Sequence, residues 1–220
     1  MKILAYDSSS EHLSIALYED EKKISEFSSH AGARHSDILV PMIEKLLKKS
    51  GVKLSDIGVF AVDIGPGSFT GLRVGIVTAK VLGYVLKKKI VGVCSLEAIA
   101  REALGARNGH AAVALDARKS KVYGAVYERR KEKFRVIVKP ALFDAKKFGN
   151  HPMTLLAKRD ALWRAETKPN EEPVSSSIPK ASRIAEGAFP LIRQKKFIDP
   201  FFLKPLYLHP KDCNVTPPKK

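Results

Sequence analysis

The sequence predicts an α/β fold in two lobes, the second a degenerate copy of the first. Three observations predict it. Three strand-like runs joined by short polar turns open the chain, and helix, strand, helix and strand follow in alternation. A looser version of that opening returns after residue 110. A chain of 220 residues, 45% hydrophobic and 28% charged, is also large enough and apolar enough to bury a core of that size.

The opening strands are KILAYD (2–7), HLSIALY (12–18) and KKISEFSS (22–29), with SSSE and EDE as hairpin-forming turns. Residues 35–49 switch to helical period, with Leu39, Met42, Ile43, Leu46 and Leu47 on one face. Pro41 falls early in that run, where it sets or kinks the first turn, and Gly51 is a C-terminal stop. VFAVDI (59–64) reads as a buried strand, 70–87 as a second helix, IVGVC (90–94) as another strand and 95–104 as a third helix. Three antiparallel strands followed by this alternation is the ribonuclease-H-like order. Repeated, it gives the two-lobed actin-like (ASKHA) fold. AAVALDA (111–117), KVYGAVYE (121–128) and FRVIV (134–138) supply the second copy's strands, after which the copy degrades. Residues 164–180 read as an exposed loop, 181–193 as a helix, and the proline-rich tail from Phe197 ends in a disordered NVTPPKK. The division is therefore 1–106 for the first lobe and 107–220 for the second.

The segment GPGSFTGLRVG (65–75) is the most specific local feature. Pro66 and Gly67 suit the centre of a type II turn, and Ser68 and Thr70 suit a helix N-cap. Free N–H groups at such a start can hold an anion, yet the spacing meets neither the dinucleotide nor the P-loop fingerprint. The helix that follows has Arg73 and Lys80 as its only charges up to Leu86. Gly71, Gly75, Ala79 and Gly83 recur every four residues and form one stripe. Glycine inside a helix costs about 1 kcal/mol relative to alanine, and close approach of another backbone can offset that. Two readings follow. Either the stripe packs inside the chain, or the 35–49 and 71–86 helices, through Leu39, Ile43, Leu46, Leu47, Gly71, Gly75, Ala79 and Gly83, form a face for a partner protein.

Asp7, Asp63 and Asp116 each end a strand. Facing one cleft, three such carboxylates would hold a divalent ion through water beside a nucleotide; as turn or capping residues they would do neither. His30 and His35 lack the helical metal spacing, His110, His151 and His209 stand alone, and Cys94 and Cys213 have neither metal nor disulfide spacing. No metal site and no cofactor are expected. No signal peptide and no apolar run of transmembrane length is visible, so the chain reads as cytoplasmic. The net charge of +16 is lopsided: 15 Lys/Arg against 12 Asp/Glu in residues 1–110, and 24 against 11 in 111–220. Such a field favours a polyanion or an acidic protein, with no base-reading motif in sight.

DIGPGSFTGLRVG (63–75), with ILAYDSSS, ARHSDILVPMIEKLL (33–47), LDARKSKVYGAVY (115–127) and KPLYLHPKD (204–212) in the same order, resembles the TsaB (YeaZ) family of tRNA threonylcarbamoyladenosine biosynthesis subunits, within the wider TsaD/Gcp-like family. The likeness covers most of the chain and weakens from about 140 to 180. It implies a non-catalytic paralogue that dimerises with TsaD through the two first-lobe helices, here 35–49 and 71–86, and is joined by the ATPase TsaE. That assembly transfers a threonylcarbamoyl group from an adenylate to the anticodon-adjacent adenosine of tRNA. The catalytic sister carries a histidine metal motif, HxxxH, where this chain reads SLEAI (95–99), which argues against a transferase site of its own. An apolar face made for a paralogue can also pair with itself, which allows a homodimer in isolation. The charge of the basic second half points to tRNA phosphates or acidic partners, with tRNA met either indirectly or through that lobe. The competing expectation is an actin-like ATPase or phosphotransferase using Asp7, Asp63 and Asp116.

Overall fold

The structure is a computed structural model and describes residues 1–149 and 178–208. The expectations for residues 164–177, His151, His209, Cys213 and the NVTPPKK tail lie outside the described residues. Within them, β1 (Lys2–Asp7), β2 (His12–Glu19) and β3 (Lys22–His30) form an antiparallel meander. β4 (Ile57–Gly65) and β5 (Lys89–Cys94) extend it in parallel, giving the order β3-β2-β1-β4-β5. The first lobe thus has the ribonuclease-H-like order that the run of elements predicts. The strands β1, β2 and β4 are buried on both faces and read as near-continuous apolar runs.

The helices α1 (His35–Lys49) and α2 (Phe69–Val85) cover one face of this sheet. Gly51, at φ +64°, follows α1 as expected, whereas Pro41 sits inside the helix rather than in its first turn. Leu39, Ile43, Leu46 and Leu47 join Leu4, Tyr6, Phe60 and Val62 in one core. The other face, formed by Ile3, Ala5, Val59, Ala61, Val91 and Val93, is covered by α5 (Ala181–Arg193). Two acceptors from the meander meet the open N-terminus of α5. Ser14 Oγ accepts from Ala181 N at 3.0 Å, and Glu26 Oε1 accepts from Ser182 N at 3.0 Å. The chain after residue 107 is therefore not all second lobe. Its last described helix completes the first, because a sheet flanked by βαβ crossovers must bury both faces.

The second sheet is a smaller meander of β6 (Gly109–Asp116), β7 (Lys121–Arg130) and β8 (Lys133–Asp144). It is followed by the short α4 (Ala145–Gly149). Among the described residues it comprises these three antiparallel strands. The helix α3 (Ser95–Leu104) joins the lobes: Leu96, Ile99, Ala100 and Leu104 pack on Ala111, Val113, Ala125 and Tyr127. Its Glu102 receives Lys180 Nζ at 2.5 Å and Arg183 Nε at 2.6 Å, tying α3 to α5.

The glycine stripe faces inward. A Cβ at Gly71 would lie 1.9 Å from the Ser8 carbonyl oxygen, and one at Gly75 would lie 2.3 Å from Ser8 Oγ. At Gly83 the nearest atom, at 2.6 Å, is the terminal methyl of Ile90. These distances set an order of tolerance. Gly71→Ala is expected to destabilise by about 2 kcal/mol or more, since backbone must move. Gly83→Ala is expected to destabilise less than Gly71→Ala, because a buried side chain, Ile90, must shift there rather than backbone, and the helix gain of about 1 kcal/mol offsets part of that. Urea unfolding of the two variants checks both expectations.

Candidate protein–protein interface

The binding reading and the nucleotide reading both start at the junction of β1, the 8–10 turn and α2. Ser68 is the N-cap, accepting from Gly71 N at 3.3 Å. Ser68 N donates to the Ser9 carbonyl at 2.6 Å, so a hydroxyl and a carbonyl of this chain already use N–H groups that would meet an anion. The expected type II turn does not form. Positive φ falls on Gly65, at +103°, the Gly65–Pro66 bond is cis, and Gly67 is required for closeness instead, since its Cβ would lie 2.4 Å from Ser9 O. Ser8 Oγ donates to Gly71 O at 2.8 Å, Tyr6 Oη donates to Gly75 O at 3.1 Å, and His35 Nε2 bonds Ser10 O at 2.7 Å.

Asp7 and Asp63 lie side by side beneath this junction, 0% and 1% exposed. Asp7 Oδ1 accepts from Ser9 N at 2.9 Å; Asp63 Oδ1 accepts from Gly65 N and Ser95 Oγ, both at 2.7 Å. Their Oδ2 atoms are buried without a hydrogen-bond partner. Burial first, then the Asp63 charge and the contact with it, hold the Asp7 carboxyl well above the usual carboxylate range. Two adjacent buried carboxylates cannot both ionise cheaply, which favours the protonated form of Asp7. Asp116 is exposed, accepts from Arg118 N at 2.8 Å, and is a turn residue. Among the described residues no three His, Cys, Asp or Glu side chains come together as a metal-holding group. The three-carboxylate site expected of an ATPase or phosphotransferase is thereby corrected: two members are sealed in the core and the third serves a turn. Burial likewise pushes the Cys94 thiol up to about 12, so it stays protonated.

The predicted interface residues lie mostly inward, although Ile43 and Leu47 also line a groove between the two helices. Leu39, Ile43, Leu46, Leu47, Gly71, Gly75, Ala79 and Gly83 are all buried within this chain. What the two helices leave outside is a different set. Val40 of α1 and Val77, Val81, Tyr84 and Val85 of α2 are each 54–66% exposed. Val77, Val81 and Val85 repeat every four residues, two positions out of phase with the glycine stripe, and so run along the opposite side of α2. Between the helices opens an apolar groove of about 430 Å³, with Ile43, Leu47, Val52, Leu54 and Leu82 in its lining and Glu44 and Lys48 beside them.

A further part of the face escaped the sequence reading. The segment after α5 runs along the edge of the first sheet: Ile198 N donates to Ile90 O at 2.9 Å and Leu206 N to Ile64 O at 2.7 Å. It sets Phe201 edge-on to Tyr84 at 5.1 Å and Tyr207 against Phe69 at 6.3 Å, with the Arg73 guanidinium 3.7 Å from the Phe69 ring centroid. Phe201, Phe202 and Tyr207 remain exposed. The available signal was three aromatic rings in a stretch too short and too proline-broken to be a core element. Contiguous exposed apolar surface of this kind marks an interaction site. Among the described residues no helix is long and apolar enough to cross a membrane.

A family model described as TsaD, tRNA N6-adenosine threonylcarbamoyltransferase, matches residues 27–183. Among curated relatives, the tRNA threonylcarbamoyladenosine biosynthesis protein TsaB of Escherichia coli is 38% identical over 59% of this chain and 56% of its own length. The protein of the same name from Haemophilus influenzae is 29% identical over 94% of this chain and 93% of its own. The chain thus spans little more than half of the first relative and nearly all of the second. Among solved structures, YeaZ from Pseudomonas aeruginosa superposes with a TM-score of 0.82 at 25% identity, covering 94% of this chain and all of that one.

The carboxylate pair makes a prediction with a definite sign. Asp7 holds its proton more tightly folded than unfolded, so its contribution to stability is present below the ordinary carboxylate value and is lost as pH rises through the elevated folded one. In Asp7→Asn the amide oxygen can still accept from Ser9 N, and the amide N–H can donate to Asp63. This variant is expected to melt at a higher temperature than the parent at pH 8, with the difference shrinking toward pH 4. Thermal melts across that range test it.

Proposed function

Since the chain belongs to the TsaD family, that of the tRNA N6-adenosine threonylcarbamoyltransferase, we propose that it serves tRNA threonylcarbamoyladenosine biosynthesis as a TsaB-like subunit that pairs with a TsaD-like paralogue. The observation that carries the pairing is the outer face of α1 and α2, with its valine row, flanking aromatic rings and groove. Interfaces concentrate energy in apolar anchors seated in desolvated pockets, and this face offers both. The inner sides of the same helices are committed to the core, so a partner meets them only from outside.

Two features support a subunit without transfer chemistry of its own. SLEAI (95–99) offers no histidine at the place of the sister's metal motif, and Ser95 there spends its hydroxyl on Asp63. The donors around the 8–10 turn, and the Oδ1 atoms of Asp7 and Asp63, are engaged within the chain. The paralogue then carries the transfer step, and a TsaE-like ATPase joins the pair.

The test is co-purification with the TsaD-like paralogue of the same organism. Val77→Asp with Val81→Asp changes only exposed side chains, so stability should shift by less than about 1 kcal/mol. Co-purification should drop at least tenfold, and modified adenosine in cells lacking the parent gene should fall with it. Undiminished pairing by that double variant would sink the proposal. Isolated chain supplied with tRNA and a threonylcarbamoyl adenylate should give no modified adenosine until the paralogue is added.

A further inference from the structure

The second sheet holds its charge unevenly. Residues 111–149 contain 11 Lys/Arg against 4 Asp/Glu, and the densest group is the β7–β8 hairpin tip, with Arg129, Arg130, Lys131, Lys133 and Arg135. Little of this charge is neutralised within the chain. Glu128 is buried and accepts from Arg130 Nε at 2.6 Å, with His110 Nε2 at 3.3 Å. Among the described residues Arg129, Lys131, Lys133 and Arg135 have no carboxylate in ion-pair contact.

The strand register makes this more than a lysine-rich surface. Arg130 stands directly opposite Lys133 across the hairpin. Like charges at facing positions destabilise a strand pair, so the fold keeps an arrangement that an external anion would relieve. The tip is also held in place. Lys131 N donates to Asn108 Oδ1 at 2.6 Å, the Tyr127 ring stacks on Phe134 at 5.5 Å, and the Arg101 guanidinium lies 4.1 Å from the Phe134 centroid. Side-chain alternation puts Arg129 on the Phe134 face and Arg130, Lys133 and Arg135 on the other, so cations flank both sides of a thin ridge.

We infer that this hairpin tip is a contact for the phosphate backbone of RNA. Residues 130–133 and 135 are exposed and charged, four of them cations and Glu132 an acid. The exposed apolar side chains nearest them, Val136 and Ile137, lie beyond the tip on β8, so no apolar anchor stands among them. A protein partner of the ordinary kind needs such an anchor at the centre of its contact. A phosphate backbone needs only cations, and arginine matches its oxygens in pairs. The contact positions RNA without reading bases. Identifying the RNA as tRNA rests on the function proposed above; the electrostatic argument does not.

The opposite end of the sheet provides an internal control. The β6–β7 turn exposes Arg118 and Lys119, about 30 Å away along the ten-residue β7. The full chain, alone and with its paralogue, is titrated into fluorescein-labelled unmodified tRNA across about 50–200 mM salt. Lys131→Glu with Lys133→Glu should weaken binding about tenfold and lower the salt slope by about 2. Arg118→Glu with Lys119→Glu makes the same change in net charge and should weaken it no more than about twofold. Lys131→Gln with Lys133→Gln gives a milder loss of the same kind, and thermal melts confirm that each variant is folded. Equal losses at the two ends, unchanged binding by the tip variants, or no tRNA binding by the parent chain in either state would overturn the inference. Because the isolated chain is measured too, a failure to pair with the paralogue is seen separately from a failure to contact RNA.

Discussion

The helix α2 rests directly on the backbone of β1 and the turn after it, and most of the molecule is arranged around that contact. The Gly71 and Gly75 positions carry no side chain, so the Ser8 hydroxyl reaches the Gly71 carbonyl and the Tyr6 phenol reaches the Gly75 carbonyl. Each bond is made out of water, where an unmet carbonyl or hydroxyl would cost about 1–3 kcal/mol. The same approach closes the 8–10 turn over Asp7 and Asp63 and leaves the valine row of α2 on the outside. Sealed carboxylates and an exposed apolar helix face are thus two results of one packing decision.

Much of the fold was legible because its signals are local. The meander, the amphipathic α1, the Ser68 cap and the Gly51 stop each follow from spacing within a few residues. The glycine stripe was legible in a weaker sense. Small residues every four positions say that something comes close, but not whether it belongs to the same chain. Here it is Ser8, more than sixty residues away, and no local pattern names it. The residues named from the pattern therefore turn out mostly to face the core, with Ile43 and Leu47 also lining the groove outside.

Burial explains the remaining differences. Asp7, Asp63 and Asp116 look alike in sequence, each an acid at a strand end. Two lie buried under α2, while the third is in water beside a turn. The amphipathic run 181–193 was evident as a helix, yet its period does not say which sheet it covers. Phe201, Phe202 and Tyr207 were passed over as tail because their partners, Tyr84 and Phe69, lie on another element.

The return of α5 to the first sheet bears on how the chain is made. A ribosome delivers the N-terminal lobe first, and domains commonly fold as they emerge. Here residues 1–106 can form the meander and dock α1 and α2, but Ile3, Ala5, Val59, Ala61 and Val91 stay uncovered until Ala181–Phe189 arrives. At ordinary synthesis speeds that leaves an apolar sheet face open for several seconds. The first lobe thus cannot bury both faces of its sheet until the second has been made, and the two mature together.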